Sequence, residues 1–204
     1  KKTEDWAPYI ADCKRTIFPD HQQNNRHVGI DVGSPDINQS DALFSVVFNE
    51  DEKHTNISGG IRFGLGAVKG AGNTAVEAIV SERNTNGLYT SIFDFCSRVS
   101  GKSANRATVE SLIRGGAFDS IHGVDSRSAL LTVLDRAIAI GTAAVKDKEA
   151  GQCGLFGGGS ERGGVEDVDY ELPMVAPWTK TQTLEQEKEV LGIHVSGHPL
   201  DECG

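Results

Sequence analysis

GLGAVKGAG, residues 64–72, runs without a break into NTAVEAIVSER at 73–83, and the fold is read outward from there. Ala75, Val76, Ile79 and Val80 recur at helical spacing and predict a helix that starts near Asn73. Gly70 and Gly72 predict a tight hairpin between two helices, because glycine takes left-handed backbone angles and has no Cβ to block a close ligand. The first amides of such a helix point outward without partners, and its dipole favours an anion. Lys69 adds a positive charge beside that point. A DNA phosphate suits Lys69, Gly70, Ala71 and Gly72, read for shape and charge rather than base identity. A bare glycine-rich connection and a nucleotide site stay open as alternatives. Lys69 stands at the third glycine position of a dinucleotide fingerprint, and no Gly-Lys-Ser/Thr follows for a P-loop, so the nucleotide reading is the weaker of these.

On the C-terminal side the helical period continues. Ile92, Phe93 and Cys96 predict a short helix with Ser91 as its N-cap, and Val109, Leu112 and Ile113 predict another. Leu130, Leu131, Leu134, Ala137, Ile138 and Gly141 give the longest apolar stripe, with Ser126 as the expected cap. LIRGGAFDSI, 112–121, turns the chain at Gly115 and Gly116. Arg106, Arg114 and Arg127 surround that turn as candidate phosphate contacts, or equally as solvated surface groups. On the N-terminal side a short helix is expected over Trp6–Arg15, a polar loop over 16–28 and a turn-rich VGSPDIN at 32–38. LFSVVF at 43–48 and IRFGL at 61–65 read as antiparallel strands of a small hairpin.

Composition narrows the function. Of 204 residues 38% are hydrophobic and 24 are glycine, which rules out wholesale disorder and collagen-like repetition. No apolar run is long enough to span a bilayer, so no membrane partner is expected. The net charge of −9 argues against indiscriminate nucleic-acid binding, but it is unevenly spread. Residues 1–60 sum to −4, 61–148 to +3 and 149–204 to −8, which puts a mildly basic middle between acidic flanks. Cys13, Cys96, Cys153 and Cys203 are scattered without zinc spacing and read as thiols of a reducing compartment, the cytoplasm. Asp20, Asp31, Asp36, Asp41 and Asp51 do not converge, His194 and His198 are separated by Gly197 from any continuous helix, and no nucleophile–base pair is evident. No catalytic residue, metal ligand or cofactor is expected in this piece. The start at Lys1 and the abrupt end after GIHVSGHPLDECG read as the ends of a fragment.

GQCGLFG, 151–157, sets Leu155 and Phe156 side by side with Gln152 just ahead. Such a peptide places an amide in a polar niche and two apolar anchors in a partner's pocket; folding back on its own helices is the equal alternative. GGGSERGGVEDVDY, 157–170, with four acids and five glycines, reads as a flexible linker, and a last helix is expected over Leu184–Leu191.

These blocks, with YIADCKR (9–15), SPDINQS (34–40), SIFDFCSRV (91–99), NRATVESLIRGGAFDSI (105–121) and LEQEKEVLGIHVSGHPLDE (184–202), closely resemble in order the C-terminal fingers and clamp-binding region of the alpha subunit of bacterial DNA polymerase III. The resemblance implies a mainly α fold in four parts. The end of the fingers, a small α/β piece with a short β-hairpin, would occupy 1–60, and a tandem helix-hairpin-helix DNA-binding domain 61–148. The clamp-binding peptide and acidic linker would occupy 149–183, and a short helix leading to a missing oligonucleotide-binding domain 184–204. It implies that Lys69, Gly70, Ala71 and Gly72 form the first phosphate-binding hairpin and that Gln152, Leu155 and Phe156 dock into the sliding clamp. The whole family protein is a DNA-directed DNA polymerase whose Mg2+-dependent palm precedes this region. Expected partners are double-stranded or primer-template DNA, the sliding clamp and other replicase subunits. TIFPDHQQNNRHV at 16–28 and Gly154 inside the clamp motif depart from the family pattern. A non-polymerase helix-hairpin-helix repair scaffold is the rival reading.

Overall fold

The computed structural model describes residues 6–16, 29–47, 60–99, 103–149 and 171–197. It opens with helix α1 (Ala7–Arg15), where Pro8 falls in the first turn and so costs no hydrogen bond. Three short strands follow, β1 (Val32–Gly33), β2 (Ser45–Val47) and β3 (Gly60–Arg62), in the sheet order β1-β3-β2. β2 and β3 pair antiparallel with Val46 opposite Ile61, as the hairpin reading expects. β1 pairs parallel to β3, Val32 opposite Ile61. That third strand lies inside the stretch expected only to turn, and at two residues it is too short to show alternation.

Helices take over from residue 65. A 3-10 turn (Leu65–Ala67) leads to α2 (Asn73–Asn86), α3 (Ile92–Val99), α4 (Arg106–Arg114), α5 (Asp119–His122), a second 3-10 turn (Val124–Ser126), the long α6 (Arg127–Glu149) and α7 (Lys180–Leu191). Several boundaries have a chemical cause. Ser91 Oγ accepts the Asp94 N–H at 3.1 Å, capping α3 as the sequence suggests, and Asn105 Oδ1 accepts the Thr108 N–H at 2.9 Å to cap α4. α7 begins four residues earlier than expected because Thr179 and Gln182 form a reciprocal capping box, and it ends at Gly192 in the left-handed conformation. Ser126 lies in the 3-10 turn that runs directly into α6, and its hydroxyl donates to the His122 carbonyl at 2.6 Å.

One apolar core joins these elements. Ile92, Phe95 and Cys96 of α3 and Leu130, Leu134 and Ala137 of α6 are fully buried. Phe95 meets Tyr89 and Phe118 edge-on, with both pairs of ring centroids 5.1 Å apart. The Tyr89 hydroxyl donates to the Ile79 carbonyl at 2.8 Å, and burial pushes its pKa up to about 12. The segment before residue 60 shares this core. Ile37 is fully buried and donates its N–H to the Ala117 carbonyl at 2.7 Å. Asn38 brackets the Tyr89 backbone, accepting its N–H and donating to its carbonyl, both at 2.8 Å. Arg83, also buried, donates to the Ile37 and Ser40 carbonyls. The segment before residue 60 thus packs directly against the helices that follow it. Residues 171–179 form an extended strap along α6, fastened by Ser128 Oγ to the Ala176 carbonyl at 2.9 Å and by Arg136 to the Glu171 carbonyl at 3.0 Å.

Candidate nucleic-acid interface

The four glycines of the 64–72 hairpin do different work. A Cβ on Gly64 would lie 2.4 Å from the Leu43 carbonyl carbon, and one on Gly66 2.8 Å from the Ala42 oxygen. These two let the 41–43 backbone run against the turn, where Leu65 and Gly66 donate to the Asp41 and Ala42 carbonyls at 2.9 and 3.0 Å. Gly70 turns the chain at φ +91°, and its carbonyl accepts the Thr108 hydroxyl of α4 at 3.0 Å. Gly72 is extended, exposed and open: a Cβ there would meet nothing within 4 Å. It is the N-cap of α2 and offers no side-chain acceptor, so helix geometry leaves the first α2 amides without intrahelical partners, and no acid stands in the first turn.

Around this opening the predicted residues divide. Lys69 exposes its side chain, while its backbone N–H is committed inward to the Val190 carbonyl at 2.8 Å. Ala71 is buried and donates its N–H to Val68 at 3.0 Å, so it shapes the turn rather than offering a donor. The expected helix on the N-terminal side of the hairpin is only the Leu65–Ala67 3-10 turn.

The three arginines do not form one patch. Arg106 is half exposed and pairs with Glu110 at 2.5 Å and Asp135 at 2.6 Å; the Asp135 hydrogen bond leads in raising its pKa above the ordinary arginine value. Arg114 shares Glu110 at 2.5 Å and reaches Glu189 at 3.4 Å. Arg127 is 1% exposed and bound by Asp119 and Glu187. Burial alone would lower its pKa, but hydrogen bonds and charge from Asp119 and Glu187 win and raise it. A phosphate has no access to Arg127, which is a structural cation at the start of α6. A buried pair of this kind costs about 3–5 kcal/mol to break by removing one partner.

Nothing in residues 29–47 singles out a phosphate contact, yet SPDINQS has a clear structural task. Asp36 Oδ1 accepts the Asn38 and Gln39 amides at 2.7 and 3.1 Å, and Ser40 Oγ accepts the Asp36 amide and donates to the Phe63 carbonyl. The anchoring of the hairpin by α7 is a contact that sequence reasoning missed; it is made by a backbone carbonyl, which leaves no side-chain signal. Gln152, Leu155 and Phe156 lie outside the described residues. Among the described residues no group of three or more His, Cys, Asp or Glu side chains is placed to hold a metal ion. No described helix is long and apolar enough to cross a membrane.

Comparison with known proteins places this geometry. The family described as helix-hairpin-helix motif matches residues 29–130, taking in the sheet, the hairpin and α2 to the start of α6. The chain is 39% identical over 173 residues to DNA polymerase III subunit alpha of Haemophilus influenzae, covering 85% of this chain and 14% of that protein. It is 42% identical over 173 residues to the Neisseria meningitidis subunit, with 84% and 14% covered. The Deinococcus radiodurans subunit is 36% identical over 202 residues, 96% of this chain and 13% of the relative. The chain thus spans about one seventh of the length of the curated relatives it matches.

Proposed function

Because the chain belongs to the helix-hairpin-helix motif family and is homologous to DNA polymerase III subunit alpha, we propose that it is a non-catalytic module of a replicative DNA-directed DNA polymerase. It holds double-stranded or primer-template DNA through backbone phosphates and tethers the polymerase to the sliding clamp, in the cytoplasm and alongside other replicase subunits. Catalysis and its Mg2+ belong to other parts of the longer protein. The observation that carries the DNA reading is the opening beside Gly72, where exposed Lys69 flanks the uncapped amides of α2. A phosphate oxygen there takes backbone N–H donors aligned with the helix dipole and a charge partner, none of which reads a base. Gly72 lets the phosphate approach because there is no Cβ in its path. Gly70 supplies the turn, and Ala71 fills the space beneath it.

Arg106 and Arg114 contribute less to this reading, since each already faces two carboxylates. A phosphate would have to displace those acids or share their cations. Clamp binding is assigned to Gln152, Leu155 and Phe156 on sequence pattern and on homology to the polymerase subunit.

The test is Lys69→Ala, followed by duplex binding in a series of salt concentrations. Affinity should fall to a similar extent for duplexes of unrelated sequence. The slope of log affinity against log salt should shrink by about 0.9, the contribution of one phosphate contact. A loss confined to one duplex sequence, or an unchanged slope, would defeat the phosphate reading.

A further inference from the structure

Helix α7 lies outside the matched 29–130 region, yet it touches both glycine turns. The Val190 carbonyl accepts the Lys69 N–H at 2.8 Å. Val190 and Leu191 also close over the other turn, where a Cβ on Gly115 would lie 3.5 and 3.2 Å from their side chains. What seats α7 is a buried carboxylate. Glu187 is 0% exposed; its Oε1 accepts from Arg127 Nη1 at 3.1 Å, and its Oε2 accepts the Val195 and Ser196 amides at 2.9 and 3.0 Å. Arg127 is in turn fixed by Asp119 and donates to the Arg114 carbonyl at 3.3 Å. Without the Glu187 carboxylate, a buried guanidinium loses half its counter-charge and the Val195 and Ser196 amides lose their acceptor.

We infer that Glu187 is a positioning residue for the phosphate-binding hairpin: its carboxylate seats α7 on Arg127, and the seated helix holds the Lys69 backbone through the Val190 carbonyl. The inference rests on the reading of that hairpin as a phosphate site. Neither Glu187 nor Val190 touches DNA. α7 sets the fraction of molecules that present the hairpin in binding geometry, and apparent affinity scales with that fraction. The effect is partial, because Gly70 keeps its second anchor, the Thr108 hydroxyl of α4. The same carboxylate grips the 195–196 backbone, so displacement of the chain beyond α7 is transmitted to Lys69.

The experiment compares the 204-residue chain with its Glu187→Ala variant, reading amide hydrogen exchange by NMR without DNA and duplex affinity over a salt series. In the variant the Lys69 amide should lose nearly all of its protection, because the open form becomes the major one, while core amides of α3 and α6 keep theirs. Duplex affinity should fall roughly three- to tenfold with an unchanged salt slope, because the phosphate contacts are the same and only the competent population drops. A merely structural loss would expose α3 and α6 together with Lys69. If Glu187→Ala does not fold, Glu187→Gln, which keeps the volume and an acceptor oxygen, should show smaller changes in the same direction. A folded variant whose Lys69 amide exchanges at the wild-type rate overturns the inference, as does faster exchange with unaltered affinity. Should Lys69→Ala leave DNA binding unchanged, the phosphate reading fails by itself, and exchange at Lys69 still decides whether Glu187 seats the hairpin.

Discussion

His122 holds the N-terminus of α3 on a lone pair, its Nε2 accepting the Ile92 N–H at 3.1 Å. The neutral ring therefore carries its proton on Nδ1. Burial pushes the His122 pKa below its ordinary value of 6.5, since desolvation disfavours the charged ring. Protonation would also remove the acceptor and set a positive charge at the positive end of a helix. As pH falls through 6.5, the unfolded chain takes up this proton before the folded one does. The neutral ring thus contributes stability above about pH 6.5, and that contribution is lost from there down to the depressed folded pKa, below which the loss is complete. Thermal unfolding followed from pH 7.5 to 5 should show a fall in Tm that is shallower in His122→Gln than in the wild type. Parallel curves would assign the acid sensitivity to other groups.

One close fit between elements is the crossing of α3 and α6. A Cβ on Gly141 would stand 2.4 Å from the Cys96 oxygen, 2.6 Å from its carbonyl carbon and 2.9 Å from the Ser97 nitrogen. All three are backbone atoms and cannot swing aside, so one helix would have to move. Ala gains about 1 kcal/mol over Gly in helix propensity, but overpacking a well-packed contact costs about 1–3 kcal/mol and here meets backbone. Gly141→Ala should therefore lower stability by about 1–2 kcal/mol net in urea unfolding, and a stabilised variant would mean that the crossing is looser than the structure has it. This contact also shows what a sequence discloses. The apolar stripe from Leu130 to Ile138 announced α6 and the face it buries, and Gly141 fell on that stripe, but only the packing reveals why glycine stands there. β1 escaped notice because two residues carry no period, and the start of α7 was misjudged because its capping box lies among polar residues. At the candidate site, Lys69, Gly70 and Gly72 were legible because turn chemistry and charge are local. The fate of Arg127 was not, because its partners Asp119 and Glu187 are 8 and 60 residues away along the chain.

At the scale of the whole molecule the charge layout bears on the two proposed attachments. The middle of the chain carries +3 and the hairpin, while the last 56 residues carry −8, with α7 among them packed on the core. In the proposed function, acids of the C-terminal segment disfavour contact with the DNA backbone, the hairpin is where duplex attaches, and the 151–157 peptide serves a protein partner. Gly154 within that peptide raises the cost of ordering it, so clamp affinity in isolation should be modest, with a Kd on the order of micromolar. A modest contact is sufficient when both ends act on one particle, since binding DNA raises the local concentration of the clamp around the same duplex. Changing Leu155 and Phe156 together to Ala should therefore abolish saturable clamp binding in a calorimetric titration, while duplex affinity stays within about twofold of wild type. On DNA encircled by the clamp the double variant should bind no better than on naked duplex, whereas the wild type should gain affinity by roughly tenfold or more. If the double variant loses duplex binding as well, the two side chains support the helical fold instead, and the tether must be sought elsewhere in the chain.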